Sequence, residues 1–270
     1  MSDHQSDNLL YDQTGHVVTL TLNRPDIRNA MGDPADVEAM VKAVARINAD
    51  QSVRVVVLTG AGTAFSAGGN VKAMRDKEGM FGGGGAAIRE AYRVTIHKMV
   101  RALWGLEVPA IAAVNGPAIG AGCDLACLCD TRLASESAKF GVTFLKLGLN
   151  PGDGGAWLLP RVIGMARASE LFYTGDVIDA ATAQDWGLVS QVYAPDRLMD
   201  EAQALAARMA AQPPAVLRMT KRLLRAGQTS TFDTVMEMSA GYQAIAHSTD
   251  DHMEAIEAFF DKRPGDFKGR

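Results

Sequence analysis

The sequence predicts an α/β protein, and three patterns indicate this class. Residues 53–59 (VRVVVLT) form a nearly continuous β-branched run, and residues 109–114 (PAIAAV) form a second apolar run. Continuous apolar runs of this length are typical of strands that are covered on both faces. Between them, apolar side chains recur at helical spacing over residues 96–103. Strand, turn and amphipathic helix therefore alternate along this part of the chain.

An earlier strand is predicted at residues 16–22. Here Val18, Leu20 and Leu22 alternate with Val17, Thr19 and Thr21, which gives a period of two residues. This period is typical of a strand with one buried face. The Asn-Arg-Pro sequence at residues 23–25 is expected to end the strand.

After about Pro195 the patterns are helical only. Helical periods cover residues 198–211, 215–225 and 231–247, and a capping box that begins at Ser248 opens a last helix through Phe260. We therefore predict a core region over residues 1–195 and a C-terminal helical region over residues 196–270.

Composition and charge limit the functional classes. The 270 residues are 47% hydrophobic, which is ample for a sizeable core. Thirty-one acidic and 27 basic side chains give a net charge of -4, the wrong sign for neutralising phosphate backbones, so nucleic acid is not expected as a partner. The amino terminus lacks the pattern of a signal peptide, and no run reaches the roughly 20 apolar residues of a membrane span. A cytoplasmic protein that does not cross a membrane is expected.

The cysteines and histidines show no metal-binding pattern. Cys123, Cys127 and Cys129 fit neither a disulfide framework nor a paired zinc motif. They are predicted to be buried thiols in a reducing compartment. His247 and His252 are five residues apart, rather than the four that would place both on one helical face. No metal site is therefore expected.

Two nucleotide-binding motifs are excluded by the glycine-rich segments. Gly60 and Gly62 follow a predicted strand, but Phe65 occupies the third glycine position of the dinucleotide fingerprint. No Gly-Lys pair occurs, so a P-loop is also excluded. Four glycines at residues 82–85 are expected to form a mobile loop, because ordering glycine carries a high entropic cost.

Glycine has a different use at residues 67–70 (AGGN) and 120–124 (GAGCD). Each segment comes just after a predicted strand and near the start of a helix. Small residues there would let a ligand carbonyl approach the backbone, and two N–H groups aimed at one oxygen would form an oxyanion hole. Taken singly, each segment is better interpreted as a tight turn.

Together with their surroundings, these segments resemble the crotonase superfamily, that is, the enoyl-CoA hydratases and isomerases. The resemblance covers nearly the whole chain, and its motifs occur in the family's order. They are LNRPDIRNAM (22–31), FSAGGNVKAM (65–74), IAAVNGPAIGAGCDLACLCD (111–130), AKFGVTFLKLGLNPGDGG (138–155), YTGDVIDAATAQDWGLVSQV (173–192) and FFDKRPGDFKGR (259–270). The resemblance implies a crotonase-like spiral of ββα units with a C-terminal helical trimerisation region. It also implies a homotrimer or a dimer of trimers that binds acyl-CoA and needs no further cofactor.

The resemblance assigns the oxyanion hole to the backbone N–H groups of Gly69 and Ala121. They would hold the thioester oxygen as it becomes an enolate, a step shared by every reaction of the superfamily. Ala67 and Gly68 are assigned to CoA binding, with the Ala67 carbonyl accepting a hydrogen bond from the adenine amine.

Two residues near the C terminus match positions that often contact the CoA adenine and phosphates, sometimes from a neighbouring subunit. These are Phe259 and Lys262. From the residues alone, a core aromatic and a solvated lysine are equally good interpretations.

The resemblance is weaker at the catalytic side chains. Hydratases of the family use two glutamates, one to activate water and one to deliver a proton. The first position is Asp124 here, and the second falls on Phe144, which would line the substrate channel and cannot transfer a proton. Asp153, in a Pro-Gly-Asp-Gly-Gly turn, is the replacement candidate. We predict Asp124 as the main acid/base, assisted by Asp153. Alternatively, Asp124 stabilises a helix N-terminus and Asp153 accepts backbone N–H groups within its turn.

The sequence therefore predicts an enzyme that hydrates or isomerises an unsaturated acyl-CoA thioester through an enolate. Isomerisation needs only one proton carrier, so it tolerates the loss of the second glutamate better than hydration does. Two alternatives stay open. One is a thioester hydrolase or carbon–carbon lyase of the same fold, and the other is a non-catalytic acyl-CoA-binding protein, because a fold alone does not determine a function.

Overall fold

The computed structural model describes residues 8–270. Its strands are β1 (Leu9–Thr14), β2 (Val17–Leu22), β3 (Val55–Gly60), β4 (Ala110–Val114), β5 (Ala118–Ile119), β6 (Thr131–Ser135), β7 (Lys139–Gly141), β8 (Val177–Asp179) and β9 (Gln191–Tyr193). Its α-helices are α1 (Pro34–Ala49), α2 (Val71–Asp76), α3 (Gly85–Val94), α4 (Ile96–Trp104), α5 (Ala121–Leu128), α6 (Gly155–Ile163), α7 (Met165–Thr174), α8 (Ala180–Asp185), α9 (Leu198–Ala210), α10 (Pro214–Ala226), α11 (Phe232–His247) and α12 (Asp250–Asp261). Short 3-10 helices occur at Pro25–Ile27, Gly79–Phe81 and Thr143–Leu147.

The main sheet has six strands in the order β1-β2-β3-β4-β6-β9, and β5, β7 and β8 form a smaller second sheet. In the main sheet, β1 and β2 are antiparallel and the other neighbouring pairs are parallel. The strands predicted at residues 16–22, 53–59 and 109–114 are confirmed as β2, β3 and β4. Every residue of β3 and β4 is buried, as their continuous apolar runs predict. The α/β class is therefore confirmed.

Different helices cover the two faces of the main sheet. On one face, Val57, Ile111 and Leu133 pack with Ala202 and Ala206 of α9. On the other face, a larger apolar cluster joins the sheet to helices that include α1, α4, α5 and α6. The helical region predicted from residue 196 onward thus contributes its first helix to the packing of the sheet.

The C-terminal helices lie close to their predicted positions, but the cap of α12 was predicted wrongly. Thr249, not Ser248, is the N-cap residue of this helix. Asp251 lies three residues after Ser248 and would be the second residue of the predicted capping box. It is buried and accepts hydrogen bonds from the backbone N–H groups of Lys268 at 2.6 Å and Gly269 at 2.8 Å. Asp251 therefore ties the C-terminal residues to α12 instead of closing a capping box.

The glycine run at residues 82–85 is a loop only in part, because α3 begins at Gly85. The three cysteines are buried free thiols, as predicted. Within residues 8–270, no helix has both the length and the apolar character that crossing a membrane would require.

Candidate active site

A cavity of about 350 Å³ lies beside the start of α5 and is bordered by the 3-10 helix Thr143–Leu147. Its walls are mainly apolar and include the rings of Phe81, Tyr92 and Phe144. Small-molecule and cofactor sites are usually cavities of this kind, with apolar walls and a few convergent polar groups. The polar groups of this cavity are therefore the candidates for chemistry.

The two glycine segments predicted to form an oxyanion hole meet at the cavity. Ser66 and Ala118 form a parallel β-bridge, and the Ile119 N–H donates to the Ser66 carbonyl at 3.0 Å. A Cβ atom at Gly68 would lie 3.2 Å from the Ala121 nitrogen and would collide with the Ile119 carbonyl. Gly68 also has a φ of +84°, which L side chains rarely adopt. Only glycine therefore allows this close approach.

The backbone N–H groups of Gly69 and Ala121 are available to a ligand oxygen. Both residues line the cavity, and neither N–H donates a hydrogen bond to another described residue. Ala121 is the first residue of α5, so its N–H has no intrahelical acceptor and lies at the positive end of the helix dipole. Gly120 precedes it with a φ of +55°, a second position that favours glycine. Two such donors can stabilise an oxygen that becomes negatively charged.

Among the described residues that line the cavity, Asp153 is the one carboxylate. Asp153 is only 8% exposed, and its Oδ1 atom has no hydrogen-bond partner in the described part of the chain. Burial raises the pKa of Asp153 to about 6, and the proximity of His97 opposes part of this rise. A carboxyl group with such a pKa at a cavity wall can accept and return a proton near neutral pH.

Asp124 lies in the first turn of α5, next to the oxyanion segment, but it does not line the cavity. It is 1% exposed, and its Oδ2 atom accepts a hydrogen bond from the Gly155 N–H at 3.1 Å. Burial raises the pKa of Asp124 well above its usual range, and the nearby Asp153 adds to the rise. The structure thus places Asp153 at the cavity wall and Asp124 behind it, in contact with the turn that carries Asp153.

Phe144 lines the cavity from the 3-10 helix Thr143–Leu147. A Cβ atom at Gly120 would lie 3.8 Å from its ring, so the ring faces the segment that leads to Ala121. An apolar ring therefore borders the cavity next to the segment that leads to Ala121. Apolar surroundings disfavour a charged carboxyl, which is consistent with the raised pKa of Asp153.

The residues predicted to bind CoA are not all brought together. Ala67 lines the cavity, and Gly68 lies directly behind it at the contact with Ala121. Phe259 is 79% exposed near the end of α12, and Lys262 is the C-cap residue of that helix. Neither of these two residues lines the cavity of the described chain.

Two side chains that the sequence analysis did not select lie beside Asp153. His97 donates a hydrogen bond from Nε2 to the Gly152 carbonyl at 2.8 Å, and its ring meets the Tyr92 ring edge-on with 5.9 Å between centroids. Burial raises the pKa of Tyr92, and the charge of Asp153 adds to the rise. The only sequence signal was a histidine in a predicted amphipathic helix, which does not reveal a partner 55 residues away.

Paired backbone donors beside one ionisable carboxyl define a class of site. Such a site suits an acid/base enzyme whose substrate carries a carbonyl oxygen that becomes an oxyanion during the reaction. Within residues 8–270, no group of three or more His, Cys, Asp or Glu side chains is arranged to hold a metal ion.

Comparison with known proteins identifies the family. The family model for enoyl-CoA hydratase/isomerase matches residues 12–270. The chain is 38% identical to the 1,2-epoxyphenylacetyl-CoA isomerase of Escherichia coli, over 94% of this chain and 95% of that protein. It is 34% identical to the crotonyl-CoA hydratase of Syntrophomonas wolfei, over 97% and 98% of the two chains. The crystal structure of an enoyl-CoA hydratase from Bacillus anthracis superposes with a TM-score of 0.91 at 35% identity, covering 97% of this chain and 100% of that one.

The chain therefore belongs to the enoyl-CoA hydratase/isomerase family. The predicted crotonase fold and the predicted class of enzyme are both confirmed by these matches. The family acts on acyl-CoA thioesters, whose carbonyl oxygen is the group that the paired backbone donors suit.

Proposed function

We propose that this enzyme is an acyl-CoA isomerase that moves a carbon–carbon double bond by carrying a proton on Asp153. One observation supports this choice above all: Asp153 is the sole carboxylate among the described residues that line the cavity. The sequence resemblance matches Phe144, which cannot transfer a proton, to the second glutamate of the hydratases. Hydration needs one group to activate water and another to handle the proton. Isomerisation needs one group that removes a proton and returns it nearby.

In the first step, the Asp153 carboxylate removes a proton from C2 of a 3-enoyl-CoA. The C2–H bond breaks, an O–H bond forms on Asp153, and the electron pair moves through the conjugated system onto the thioester oxygen. The N–H groups of Gly69 and Ala121 donate hydrogen bonds to the resulting dienolate. These donors belong to a fixed backbone, so they stabilise the new charge without having to reorganise.

In the second step, Asp153 gives the same proton to C4. The C4–H bond forms, the double bond shifts to C2–C3, and the thioester carbonyl is restored. Asp153 is again a carboxylate, and the product has the same atoms as the substrate. The proposed reaction therefore uses no cofactor beyond the CoA of the substrate itself.

The buried position of Asp153 suits both steps. With a pKa of about 6, the group is mostly ionised at neutral pH and can begin the reaction as a base. A carboxylate of raised pKa is a stronger base than an ordinary one, and with a pKa of about 6 its conjugate acid can still give up the proton near neutral pH. The apolar wall formed in part by Phe144 maintains this balance.

The relatives and the cavity wall support a substrate class. The relative named 1,2-epoxyphenylacetyl-CoA isomerase carries an aromatic acyl group in its name, and the rings of Phe81, Tyr92 and Phe144 offer apolar contacts to such a group. We therefore propose an unsaturated acyl-CoA with a cyclic or aromatic substituent. Hydration is the second candidate, because another relative is named a crotonyl-CoA hydratase. In addition, Asp124 lies close enough to Asp153 for the charge of Asp153 to raise the pKa of Asp124.

The remaining parts of the proposal concern CoA and assembly. Ala67 and Gly68 are proposed to hold the adenine, and Phe259 and Lys262 to contact CoA bound to a neighbouring subunit of a homotrimer or dimer of trimers. Exposed apolar side chains on α11 and α12 support such self-association, with Phe260 76% exposed. Light scattering after size-exclusion chromatography would test the trimer through its mass.

A cytoplasmic setting is also proposed, because the three buried cysteines are free thiols.

Turnover of paired 2-enoyl- and 3-enoyl-CoA thioesters tests the proposal. We expect the absorbance of the conjugated thioester to appear from 3-enoyl substrates, and Asp153→Asn to slow this by roughly 10²–10⁴-fold while CoA thioester binding persists. Asp196→Asn, at an exposed aspartate away from the cavity, is the matched control. Addition of water to 2-enoyl substrates, with no conversion of 3-enoyl substrates, would establish a hydratase instead.

A further inference from the structure

We propose that His97 is a positioning residue of this site, which anchors the turn that carries Asp153 and lines the same cleft wall as that carboxylate. The inference rests on the proposed function, because it assigns to His97 the task of preparing the proposed proton carrier. Its support lies in the hydrogen bonds of the turn, the placement of the histidine ring and the charges around Asp153.

The turn at residues 151–155 needs external anchors. Three of its five residues are glycine, and glycine backbones have the greatest conformational freedom to lose. Side chains of two helices hold this turn, with His97 of α4 donating to the Gly152 carbonyl at 2.8 Å and Asp124 of α5 accepting from the Gly155 N–H at 3.1 Å. Asp153 lies between these two contacts. Loss of either anchor would let the carboxylate move relative to the oxyanion donors.

The hydrogen bond also determines which nitrogen of His97 carries a proton. A backbone carbonyl can only accept, so Nε2 must be the protonated nitrogen. The ring is held from the side by the edge-on contact with Tyr92. His97 is therefore held by two contacts, one to the turn and one to the Tyr92 ring.

Charges around Asp153 come from several elements. The ionisable groups that share a cavity or cleft wall with Asp153, or interact with it electrostatically, are Tyr92, His97, Arg101, Asp124, Lys146 and Arg225. Among them, Asp124 and Tyr92 both have raised pKa values, and neither can supply a positive charge to Asp153. Arg225 pairs with Asp130 at 3.4 Å. His97 is the group whose charge lowers the pKa of Asp153 and so offsets part of the effect of burial.

Anchoring and charge have separable consequences. Losing the anchor misplaces the carboxylate, and a displacement on the order of 1 Å can cost about 10²-fold in rate. Losing only the charge leaves the geometry intact but raises the pKa of Asp153, so the base form requires a higher pH. Neither change removes a group that holds CoA, so the effect belongs to kcat and to the pH profile more than to KM.

Two substitutions separate these effects. His97→Gln retains an N–H donor for the Gly152 carbonyl but carries no charge, whereas His97→Leu removes both. His16→Gln is the matched control, because His16 also contacts a backbone carbonyl at 2.8 Å, that of Ser52, but lies on the surface. Each variant is first checked for folding by thermal melting. The readouts are kcat, KM and the pH dependence of kcat/KM with the substrate on which the wild-type protein is most active.

We expect His97→Gln to keep kcat at high pH within about threefold and to shift the acidic limb of the profile upward by roughly 0.5–1 pH unit. His97→Leu should lose about 10-fold or more in kcat with KM changed by less than about threefold. Wild-type kcat and an unshifted pH profile in both variants would overturn the inference.

A measurement that needs no turnover separates this inference from the proposed function. The Asp153 carboxyl can be titrated by ¹³C NMR, with its signal assigned by its disappearance in Asp153→Asn. We expect its midpoint to rise in His97→Gln and to stay in place in His16→Gln. An unchanged midpoint in His97→Gln contradicts the role of His97 whether or not the protein isomerises any substrate. A shifted midpoint without any isomerase activity would contradict the proposed function alone.

Discussion

The Asp124 carboxylate accepts a hydrogen bond from the Gly155 N–H, and a Cβ atom at Gly155 would collide with that carboxylate. The glycine at position 155 is thus a requirement of the close approach between α5 and the start of α6. This contact holds the turn that bears Asp153 against α5, the helix that begins at the proposed oxyanion donor Ala121. The catalytic proposal depends on this relationship, because it places the acid/base and the oxyanion hole on elements that are tied together.

The roles of the two aspartates can be separated by substitution of Asp124. We expect Asp124→Asn to keep most of the activity, because the amide oxygen can still accept from the Gly155 N–H. Asp124→Leu should lose roughly 10- to 100-fold in kcat, because the turn loses its anchor and a buried N–H loses its acceptor. Steady-state turnover of a 3-enoyl-CoA checks both values. If Asp124→Asn were as inactive as Asp153→Asn, Asp124 would itself be a proton carrier.

The pH dependence of kcat/KM follows from the pKa of Asp153. The reaction begins with the carboxylate, and the pKa of this group is about 6, so kcat/KM should rise with pH and level off above this value. Below it, the rate should fall about tenfold per pH unit. The acidic side of this profile is measured by determining kcat/KM for one 3-enoyl-CoA over a series of pH values at constant ionic strength. A flat profile between pH 5 and pH 8 would contradict the role of Asp153 as the base.

The same pKa predicts that the stability contribution of Asp153 falls as the pH rises, whereas kcat/KM rises. Burial raises the folded-state pKa of Asp153 above the value of about 3.9 expected in the unfolded chain. The folded state is therefore favoured by this group below the unfolded value, and this contribution is lost as the pH rises through about 6. Asp153→Asn avoids the loss, so it should increase the free energy of unfolding at pH 8 by roughly 1–3 kcal/mol.

Denaturant melts of the wild-type protein and Asp153→Asn at pH 4.5 and pH 8 check this prediction. The difference between the two proteins should be larger at pH 8. Asp196→Asn, at an exposed aspartate, should show no such pH-dependent gain. Equal stabilities of wild type and Asp153→Asn at both pH values would show that Asp153 ionises in the folded protein as easily as in the unfolded chain.

Phe144 offers a gain-of-function prediction. Phe144→Glu places a second carboxylate on the cavity wall, at the position that the sequence resemblance matches to the second glutamate of the hydratases. We expect it to add water to 2-enoyl-CoA faster than the wild-type protein does, because one carboxylate can then activate water while the other handles the proton. Phe144→Leu removes the ring without adding a carboxylate, and it should gain no hydration. Loss of 2-enoyl absorbance with formation of the 3-hydroxyacyl product measures the change.

Much of the fold could be predicted because the decisive signals are local. Strands β3 and β4 are continuous apolar runs, and α4 has a helical period, so each element is recognisable without its neighbours. The positions of Gly69 and Ala121 followed from glycine motifs in a fixed order along the chain. Both residues line one cavity, so the two motifs are brought together in the fold.

The order of the two aspartates could not be predicted in the same way. Asp124 and Asp153 both lie in short segments near glycines, and the sequence does not reveal which carboxylate faces the cavity. That choice depends on how α5 packs against α6, where the missing Cβ of Gly155 makes room for the Asp124 carboxylate. The contact between His97 and Gly152 is likewise a product of tertiary packing and has no local signal.

The central claim is that Asp153 removes a proton next to a thioester held by the oxyanion donors. Exchange of the C2 protons of a saturated acyl-CoA in D₂O, followed by NMR, tests this step without requiring the natural substrate. We predict that the wild-type protein and Asp196→Asn catalyse the exchange and that Asp153→Asn does so at least about 10²-fold more slowly. Exchange at the wild-type rate in Asp153→Asn would contradict the claim and would assign the proton transfer to another group.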